Sequence, residues 1–207
     1  MQPFLKKHYN LISNLFLKCG IHSVSMDDIA FSAHTSKKTI YKEYKCKDEL
    51  VREFFISDCL HFKQQLRFLK KANSNAITQT VQLYFLVHKK VTLINPSTLF
   101  DLKKYYPDLF TETIVLHRTN IKDTFFSVLT LGKSENLFLQ NIDPDSIANL
   151  ITLIVESNIY SLLVLNTNEW RFNPNHFLDF HFRGICTPLG FGKWETQKQG
   201  LLNGVDS

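Results

Sequence analysis

A dense group of hydroxyl and ammonium side chains lies between Ser36 and Lys47. Hydroxyls and ammonium groups donate hydrogen bonds to phosphate oxygens, and a lysine can also donate to the O6 and N7 acceptors of guanine. The chemistry that this segment could perform is therefore the binding of a polyanion. The candidate contacts are Ser25, Ser36, Lys37, Lys38, Thr39, Tyr41, Lys42 and Lys47.

Two short helices are predicted to position these side chains. Ser25 precedes apolar residues at helical spacing, and Asp28 completes a capping box with it. A polar break follows, after which Ser36 can cap a second helix over residues 36–44, with Ile40 as its one inward apolar side chain. Two short helices joined by a tight turn, the second with a basic and hydroxyl-rich outer face, form a helix-turn-helix. The second helix of such a motif enters the DNA major groove.

The charge distribution favours the same partner. The 207 residues carry a formal net charge of +5. Residues 1–47 hold eight lysines against three acids, and the rest of the chain sums to zero. The excess positive charge therefore lies entirely in the helix-turn-helix segment, which favours a polyanionic partner. A solvated basic surface is the alternative explanation of the charge alone.

The rest of the chain predicts an all-α fold. Seven glycines and six prolines are few for a turn-rich β fold, and 44% hydrophobic residues can build a substantial core. With the two short helices we expect about nine: an N-terminal three-helix DNA-binding head in residues 1–48 and a helical ligand-binding and dimerisation body in residues 49–190. From residue 188 the composition turns polar, and residues 191–207 are expected to form a flexible tail. The other predicted helices cover residues 4–19, 47–71, 76–94, 98–105, 108–131, 143–165 and 175–186.

The N-terminal pattern resembles the tetracycline-repressor (TetR) family of bacterial transcription regulators. Its apolar, glycine and polar positions all fall at the family's spacing without an insertion, and they cover about a quarter of the chain. A weaker likeness continues at residues 102–109 and 143–145. The matching positions are Leu15-Phe16, Gly20-Ile21, Val24-Ser25-Met26, Ile29-Ala30, Ser36-Lys37, Thr39-Ile40-Tyr41, Tyr44, Lys47, Glu49 and Leu50.

The resemblance implies a sequence-specific transcription regulator, a repressor that a small-molecule effector releases from double-stranded DNA. A homodimer would place two recognition helices on a pseudo-palindromic operator. By this resemblance Thr39, Tyr41 and Lys47 contact the DNA backbone, while Lys37 and Lys38 reach base edges. The alternative is a small-molecule-binding helical dimer that has lost sequence-specific DNA recognition.

Several positions depart from the family pattern, and two of them, His34 and Glu43, motivate that alternative. His34 stands in the turn where glycine is common, followed by Thr35, and Lys38 stands at another position that is often glycine. Cys46 replaces the serine that usually caps the fourth helix. Glu43 would repel DNA unless Lys42 or Lys47 pairs with it.

The last helices provide the predicted dimer interface. The helix over 143–165 carries too wide an apolar face for one side of contact, so part of it is expected to be covered by a second copy. Central core is the alternative. The predicted interface residues are Ile147, Ile151, Ile154, Val155, Ile159, Leu162, Phe177 and Phe180.

Aromatic residues in the body are the candidate lining of a ligand pocket. Aromatic rings with a few polar groups are typical of small-molecule sites, although aromatic residues at helical spacing are more often plain core. The candidates are Phe62, Tyr84, Phe85, His88, Phe100, Tyr105, Phe110, His117 and Phe125.

No catalytic or metal-binding motif is present, so neither an enzyme nor a cofactor is expected. The sequence lacks GxSxG, P-loop and HExxH patterns, and His176 and His181 do not share a helix face. The four cysteines form no CxxC pair and are expected to be reduced thiols of a cytoplasmic protein. No apolar stretch reaches the roughly 18 residues that a membrane span needs.

Overall fold

Ten α-helices account for most of the computed structural model, which describes residues 1–71, 74–165 and 174–203. These residues contain no β-strand, only an isolated bridge between Phe138 and Cys186. The prediction of an all-α fold is confirmed, with one helix more than expected. The helices are α1 (Pro3–Cys19), α2 (Met26–Ser32), α3 (Lys37–Ile40), α4 (Lys47–Lys71), α5 (Ala76–Thr92), α6 (Pro96–Tyr105), α7 (Pro107–Ser134), α8 (Pro144–Leu165), α9 (Pro174–Ile185) and α10 (Pro188–Asn203).

All six prolines of the chain begin a helix. Proline suits the first helical position because its fixed φ is already helical and its missing N–H would have no intrahelical partner there. The predicted starts of α6 and α7 at residues 98 and 108 were therefore too late. The recognition helix α3 is also shorter than the predicted 36–44.

Helix α7 runs past Gly132, where we had predicted its end. Asn136, with a φ of 56°, follows the last turn, and the backbone N–H groups of Leu137 and Phe138 donate to the Gly132 carbonyl at 2.9 and 3.0 Å. A Cβ at Gly132 would lie 2.0 Å from Cδ2 of the Phe138 ring. This glycine therefore serves the close approach of Phe138 and does not end the helix.

The chain separates into two compact units. The first comprises residues 1–64, 90–117 and 160–167, and the second residues 65–89, 118–159 and 168–207. In the first unit, a continuous core joins the first four helices, and the rings of Phe16 and Phe54 meet edge to face at 5.5 Å. Ile12 and Leu50, both fully buried, help to close it. This core holds α2 and α3 in place.

The predicted flexible tail over residues 191–207 is wrong for residues 191–203, which are part of α10 (Pro188–Asn203) in the second unit. Trp194 is fully buried against Phe182, with ring centroids 5.0 Å apart. Asp179 on α9 accepts hydrogen bonds from Trp194 Nε1 at 3.2 Å, Lys198 Nζ at 2.8 Å and Arg183 Nε at 2.9 Å. The polar composition of this segment gave no indication that Trp194 would be buried or that Trp194 and Lys198 would share Asp179 as acceptor. Residues 204–207 lie outside the described part of the chain.

Two part-buried histidines, one in each unit, predict a loss of stability in mild acid. Burial lowers the pKa of His117 and of His181 to about 4, against 6.5 for an exposed histidine. The unfolded chain therefore binds more protons between those values, so stability is complete above pH 6.5 and falls as the pH drops towards 4. Each histidine contributes up to about 3 kcal/mol to this loss.

Urea unfolding between pH 7 and 4.5 measures the effect. His181→Phe should flatten the dependence of the unfolding free energy on pH, whereas His176→Phe on the exposed side of α9 should leave it unchanged. Equal slopes in wild type and His181→Phe would contradict the prediction.

Candidate nucleic-acid interface

Helix α2 begins with the predicted capping box. Ser25 Oγ accepts from the Asp28 backbone N–H at 3.1 Å, and Asp28 Oδ2 accepts from the Ser25 backbone N–H at 2.8 Å and from its hydroxyl at 2.6 Å. These bonds lower the pKa of Asp28, so the carboxylate stays ionised. Ser25 is exposed at the helix N-terminus, but its hydroxyl is already engaged within the box.

Helix α3 is a single turn that presents its polar side chains outward. Its one buried residue is Ile40, which is fully enclosed in the core of the first unit. Ser36 caps the helix by accepting from the Thr39 N–H at 3.2 Å, and the two hydroxyl oxygens lie 2.9 Å apart. The structure thus brings six predicted contacts together on one exposed segment: Ser36, Lys37, Lys38, Thr39, Tyr41 and Lys42.

The turn between α2 and α3 uses a histidine in a left-handed conformation. His34 has a φ of 49°, and its N–H donates to the Phe31 carbonyl at 3.1 Å while that of Thr35 donates to Ala30 at 2.9 Å. Positive φ is cheap for glycine and costs other residues free energy. The departure at His34 therefore adds local strain and leaves the turn geometry intact.

Glu43 pairs with neither Lys42 nor Lys47, the two lysines that could have offset its repulsion of DNA. Its Oε2 accepts instead from the Phe4 backbone N–H at 2.8 Å, at the first turn of α1. The positive end of a helix dipole and an unpaired N–H stabilise a carboxylate at such a position. Glu43 is thus part of the head's own structure.

Two of the predicted contact lysines also have partners inside the first unit. Lys37 Nζ lies 2.5 Å from Asp27 Oδ2, with both side chains exposed, and this bond raises the pKa of Lys37. Lys47 Nζ donates to the Ile21 carbonyl at 2.6 Å, and burial lowers its pKa. An ammonium has three N–H donors, so each lysine keeps donors for a phosphate.

Polar contacts between α6 and the end of α1 were missed by sequence reasoning. Thr98 Oγ1 donates to the Phe16 carbonyl at 2.7 Å, and Asn95 donates from its backbone to Leu17 at 3.0 Å and from its side chain to Lys18 at 3.0 Å. These carbonyls lie in the last turn of α1, where intrahelical donors are lacking. The Asn95-Pro96 pair predicted the start of α6 but not the contact of that start with the last turn of α1.

The first unit also contains a cavity of about 280 Å³. His22 stacks on Tyr105 with ring centroids 4.8 Å apart, and its backbone N–H donates to Asp101 Oδ2 at 2.7 Å. Tyr105, a predicted pocket residue, therefore lines a surface cavity. The residues that line it are His22, Lys47, Asp48, Tyr105 and Tyr106.

The other predicted pocket residues fall into separate groups. In the first unit, the rings of Phe62 and His117 are in contact, with their centroids 5.4 Å apart. Cys59 Sγ lies 3.3 Å from His117 Nε2. Phe100 is exposed, so the prediction that it lines an enclosed pocket is wrong. Phe110 packs on the core of the head. In the second unit, the rings of Tyr84 and Phe125 are in contact, with their centroids 5.0 Å apart. Phe85 and His88 are part-buried.

The predicted interface residues are divided between core and surface. Ile151 is 1% exposed, so it belongs to the core and is wrong as an interface residue, whereas Phe180 is 76% exposed. The side chain of Leu162 lies outside the described residues. The others are part-buried: Ile147, Ile154, Val155, Ile159 and Phe177. Because apolar residues surround α8, periodicity alone could not identify its buried face.

Within the described ranges, no three His, Cys, Asp or Glu side chains are grouped so that they could hold a metal ion. All four cysteines are free thiols. Among the same residues, no helix combines the length and hydropathy that crossing a membrane requires.

Residues 12–54 match the family model of bacterial regulatory proteins of the tetR family. The chain is 28% identical over 128 residues to YvaF, an uncharacterized HTH-type transcriptional regulator of Bacillus subtilis strain 168. That alignment covers 59% of this chain and 64% of YvaF, just under two thirds of the relative's length.

Three solved structures share the fold. A transcriptional regulator of Cytophaga hutchinsonii has a TM-score of 0.70 at 12% identity, over 90% of this chain and all of that one. The TetR family protein CprB of S. coelicolor A3(2) has a TM-score of 0.62 at 15% identity, over 97% and 98%. The ketosteroid transcriptional regulator KstR2 of Mycobacterium tuberculosis has a TM-score of 0.56 at 15% identity, over 90% and 97%.

Proposed function

We propose that this chain, a member of the TetR family of bacterial regulatory proteins, is a homodimeric transcription repressor that binds a pseudo-palindromic operator and is released from it by a small molecule. The observation that carries the proposal is the exposed basic turn of α3, which the fully buried Ile40 fixes to the core of the head. A recognition helix must be held rigidly by its inner side chain while its outer side chains remain available to base edges.

The contacts divide by the groups that they would meet. Lys37 and Lys38 on α3 are proposed to reach guanine acceptors in the major groove. Thr39, Tyr41, Lys42 and Lys47 are proposed to contact phosphates and to set the register of the head on the duplex. Ser25 and Ser36, which cap α2 and α3, are proposed to lie next to the phosphates.

The dimer is proposed to form through exposed apolar positions of α8 and α9. Leu150 and Leu153, which belong to the second unit, are exposed and lie on one face of α8 by helical spacing. On α9, Phe180 is exposed, and an apolar surface of this kind is typical of a protein–protein contact. A second copy is the partner that a two-headed operator complex requires.

The small-molecule effector is supported by aromatic groups in the interior of each unit, around His117 in one and Tyr84 in the other. KstR2, which shares the fold, is by name a ketosteroid regulator. An effector would act by binding one conformation of the dimer more tightly than the other.

A second candidate function is a small-molecule-binding dimer without sequence-specific DNA recognition. The ion pair between Lys37 and Asp27 favours it, because it occupies one of the two lysines proposed to reach bases. Such a protein would bind every duplex with the same weak, salt-dependent affinity.

Selection of duplexes from a random library at near-physiological salt tests the proposal. The wild-type protein should enrich a sequence with two-fold symmetry, whose half-sites lie about one helical turn or a multiple apart. Enrichment of no sequence over random duplex would reject the regulator and favour the second candidate.

A further inference from the structure

The interior of the second unit contains a tyrosine hydroxyl without a hydrogen-bond partner. Tyr84 on α5 is only 5% exposed, and its oxygen has no hydrogen-bond partner among the described residues. An unpaired buried hydroxyl costs free energy that a phenylalanine at the same position would avoid. Packing therefore accounts for the ring of Tyr84 but not for its hydroxyl group.

A second unpartnered polar atom belongs to the same cluster. The Nε2 atom of His181 on α9 is closed off from solvent and has no hydrogen-bond partner in the part of the chain that the structure describes. The ring centroid of His181 lies 5.7 Å from that of Tyr84. A neutral imidazole and a phenol can between them both donate and accept hydrogen bonds. Two orphan polar atoms on adjoining rings are a stronger indication of a ligand than either alone.

Aromatic rings complete the surroundings of these two residues. Phe125 on α7 lies 5.0 Å from the Tyr84 ring, and Phe177 on α9 lies 5.4 Å from it. Phe177 also stacks on His181 at 5.9 Å with an interplanar angle of 12°. Rings arranged in this way favour a ligand that is itself a ring.

Burial keeps both polar groups uncharged at neutral pH. It lowers the pKa of His181 to about 4 and raises that of Tyr84 well above 10. A charged ligand would therefore face two neutral polar groups and two phenylalanine rings, and it would lose its hydration without gaining a counter-charge.

We propose that Tyr84 and His181 are the polar contacts of an effector site inside the second unit, and that the site takes an uncharged ring compound bearing a hydroxyl or carbonyl group. The inference rests on the proposed function, since it names the class of molecule that the regulator senses. It assigns Phe177, a predicted residue of the dimer interface, to the effector site.

Three small probes of similar size test the proposal: phenol, toluene and benzoate. Phenol, with seven non-hydrogen atoms, should bind with a Kd of about 1 mM, as a fragment in a fitting site does. Toluene should bind roughly tenfold more weakly because it cannot satisfy the polar atoms. Benzoate should show no saturable binding. Titrations followed by NMR line broadening of each probe measure the three affinities.

Single-atom and ring variants locate the site. Tyr84→Phe and His181→Phe should each weaken phenol binding by roughly threefold, the value of one hydrogen bond. Tyr84→Phe should leave the affinity for toluene unchanged. Tyr9→Phe removes a hydroxyl of the first unit, which donates to Asp58 Oδ1 at 2.8 Å, and should change neither affinity. Tyr84→Phe should fold with a Tm at or above that of wild type, because it removes an unpaired hydroxyl.

Equal binding of phenol and toluene by wild type, or no saturable binding of either, would overturn the proposal and leave water as the partner of these atoms. An unchanged affinity of Tyr84→Phe for phenol would overturn it as well. The titrations contain no DNA and the duplex selection contains no probe, so failure of the effector site and failure of the regulator are distinguishable.

Discussion

Replacing Phe180 by aspartate is expected to leave the protein folded but monomeric, and to weaken its binding to the selected operator by about a hundredfold or more. Phe180 is 76% exposed on α9, so its replacement costs the protomer little packing. In a dimer it would be buried against the second copy, where an unpaired carboxylate is strongly disfavoured. Linking two DNA-binding heads raises the overall affinity by roughly 10² to 10⁴ over that of one head, and a monomer loses this gain.

Phe68→Asp is the matched control. Phe68 on α4 is 72% exposed and lies outside the proposed interface, so the same change of charge and volume should leave the dimer intact. Sedimentation measures the oligomeric state, and titration of labelled operator measures the affinity. A Phe180→Asp variant that stays dimeric would contradict the proposed interface. Monomers from both variants would indicate unfolding and not a specific contact.

Gly184 is a second observation that bears on the proposed dimer interface of α9. It lies one helical turn after Phe180, and a Cβ built on it meets nothing within 4 Å. A glycine within a helix costs about 1 kcal/mol relative to alanine, and no contact within the protomer compensates for it. Close approach of the second copy's α9 would account for it.

Replacing Gly190 by alanine is expected to destabilise the second unit by about 3 kcal/mol or more, one of the larger effects that a single methyl group can have. A Cβ at Gly190 would lie 2.0 Å from the carbonyl oxygen of Leu137 and 2.9 Å from its carbonyl carbon. The clash is with backbone atoms, which no rotamer change can relieve.

The surrounding backbone has little freedom to move away. The Thr187 N–H donates to the Leu137 carbonyl at 3.0 Å, its hydroxyl donates to the Asn136 carbonyl at 2.8 Å, and the Leu139 N–H donates to Ile185 at 2.8 Å. Relief of the clash would break these bonds or lift α10 and its buried Trp194 from the core.

Gly192→Ala, two positions along the same helix, is the control for the clash. Nothing lies within 4 Å of a Cβ at Gly192, so the alanine should stabilise α10 by up to about 1 kcal/mol through helix propensity alone. Urea unfolding of the two variants measures opposite changes in the unfolding free energy. A similar loss of unfolding free energy in both variants would contradict the prediction. It would mean that the loss comes from helix formation in α10 and not from the close approach of Leu137.

The sequence allowed prediction of the helices and the recognition segment because local rules determine them. The capping box of Ser25 and Asp28 and the cap at Ser36 are fixed by residues three positions apart, and both are present. The six prolines could have placed six helix starts within a residue. These features need no knowledge of the distant chain.

Features that depend on distant contacts could not be predicted. The role of Glu43 depends on the start of α1, which lies close to it only in the folded head. The buried face of α8 depends on its neighbours, since apolar residues occur all round that helix. The order of α10 depends on Trp194 and Asp179 meeting across a turn, and its average composition gave no sign of that contact.

The central claim is that the exposed turn of α3 recognises bases, and selection of duplexes by wild type and Lys38→Ala side by side tests it most directly. Lys193→Ala on the exposed surface of α10 removes the same charge far along the chain and serves as the control. We predict one palindrome for wild type and Lys193→Ala, and for Lys38→Ala the same palindrome with relaxed preference at one symmetric pair of positions. A Lys38→Ala variant that keeps every base preference, or a wild type that enriches no sequence, would contradict the claim.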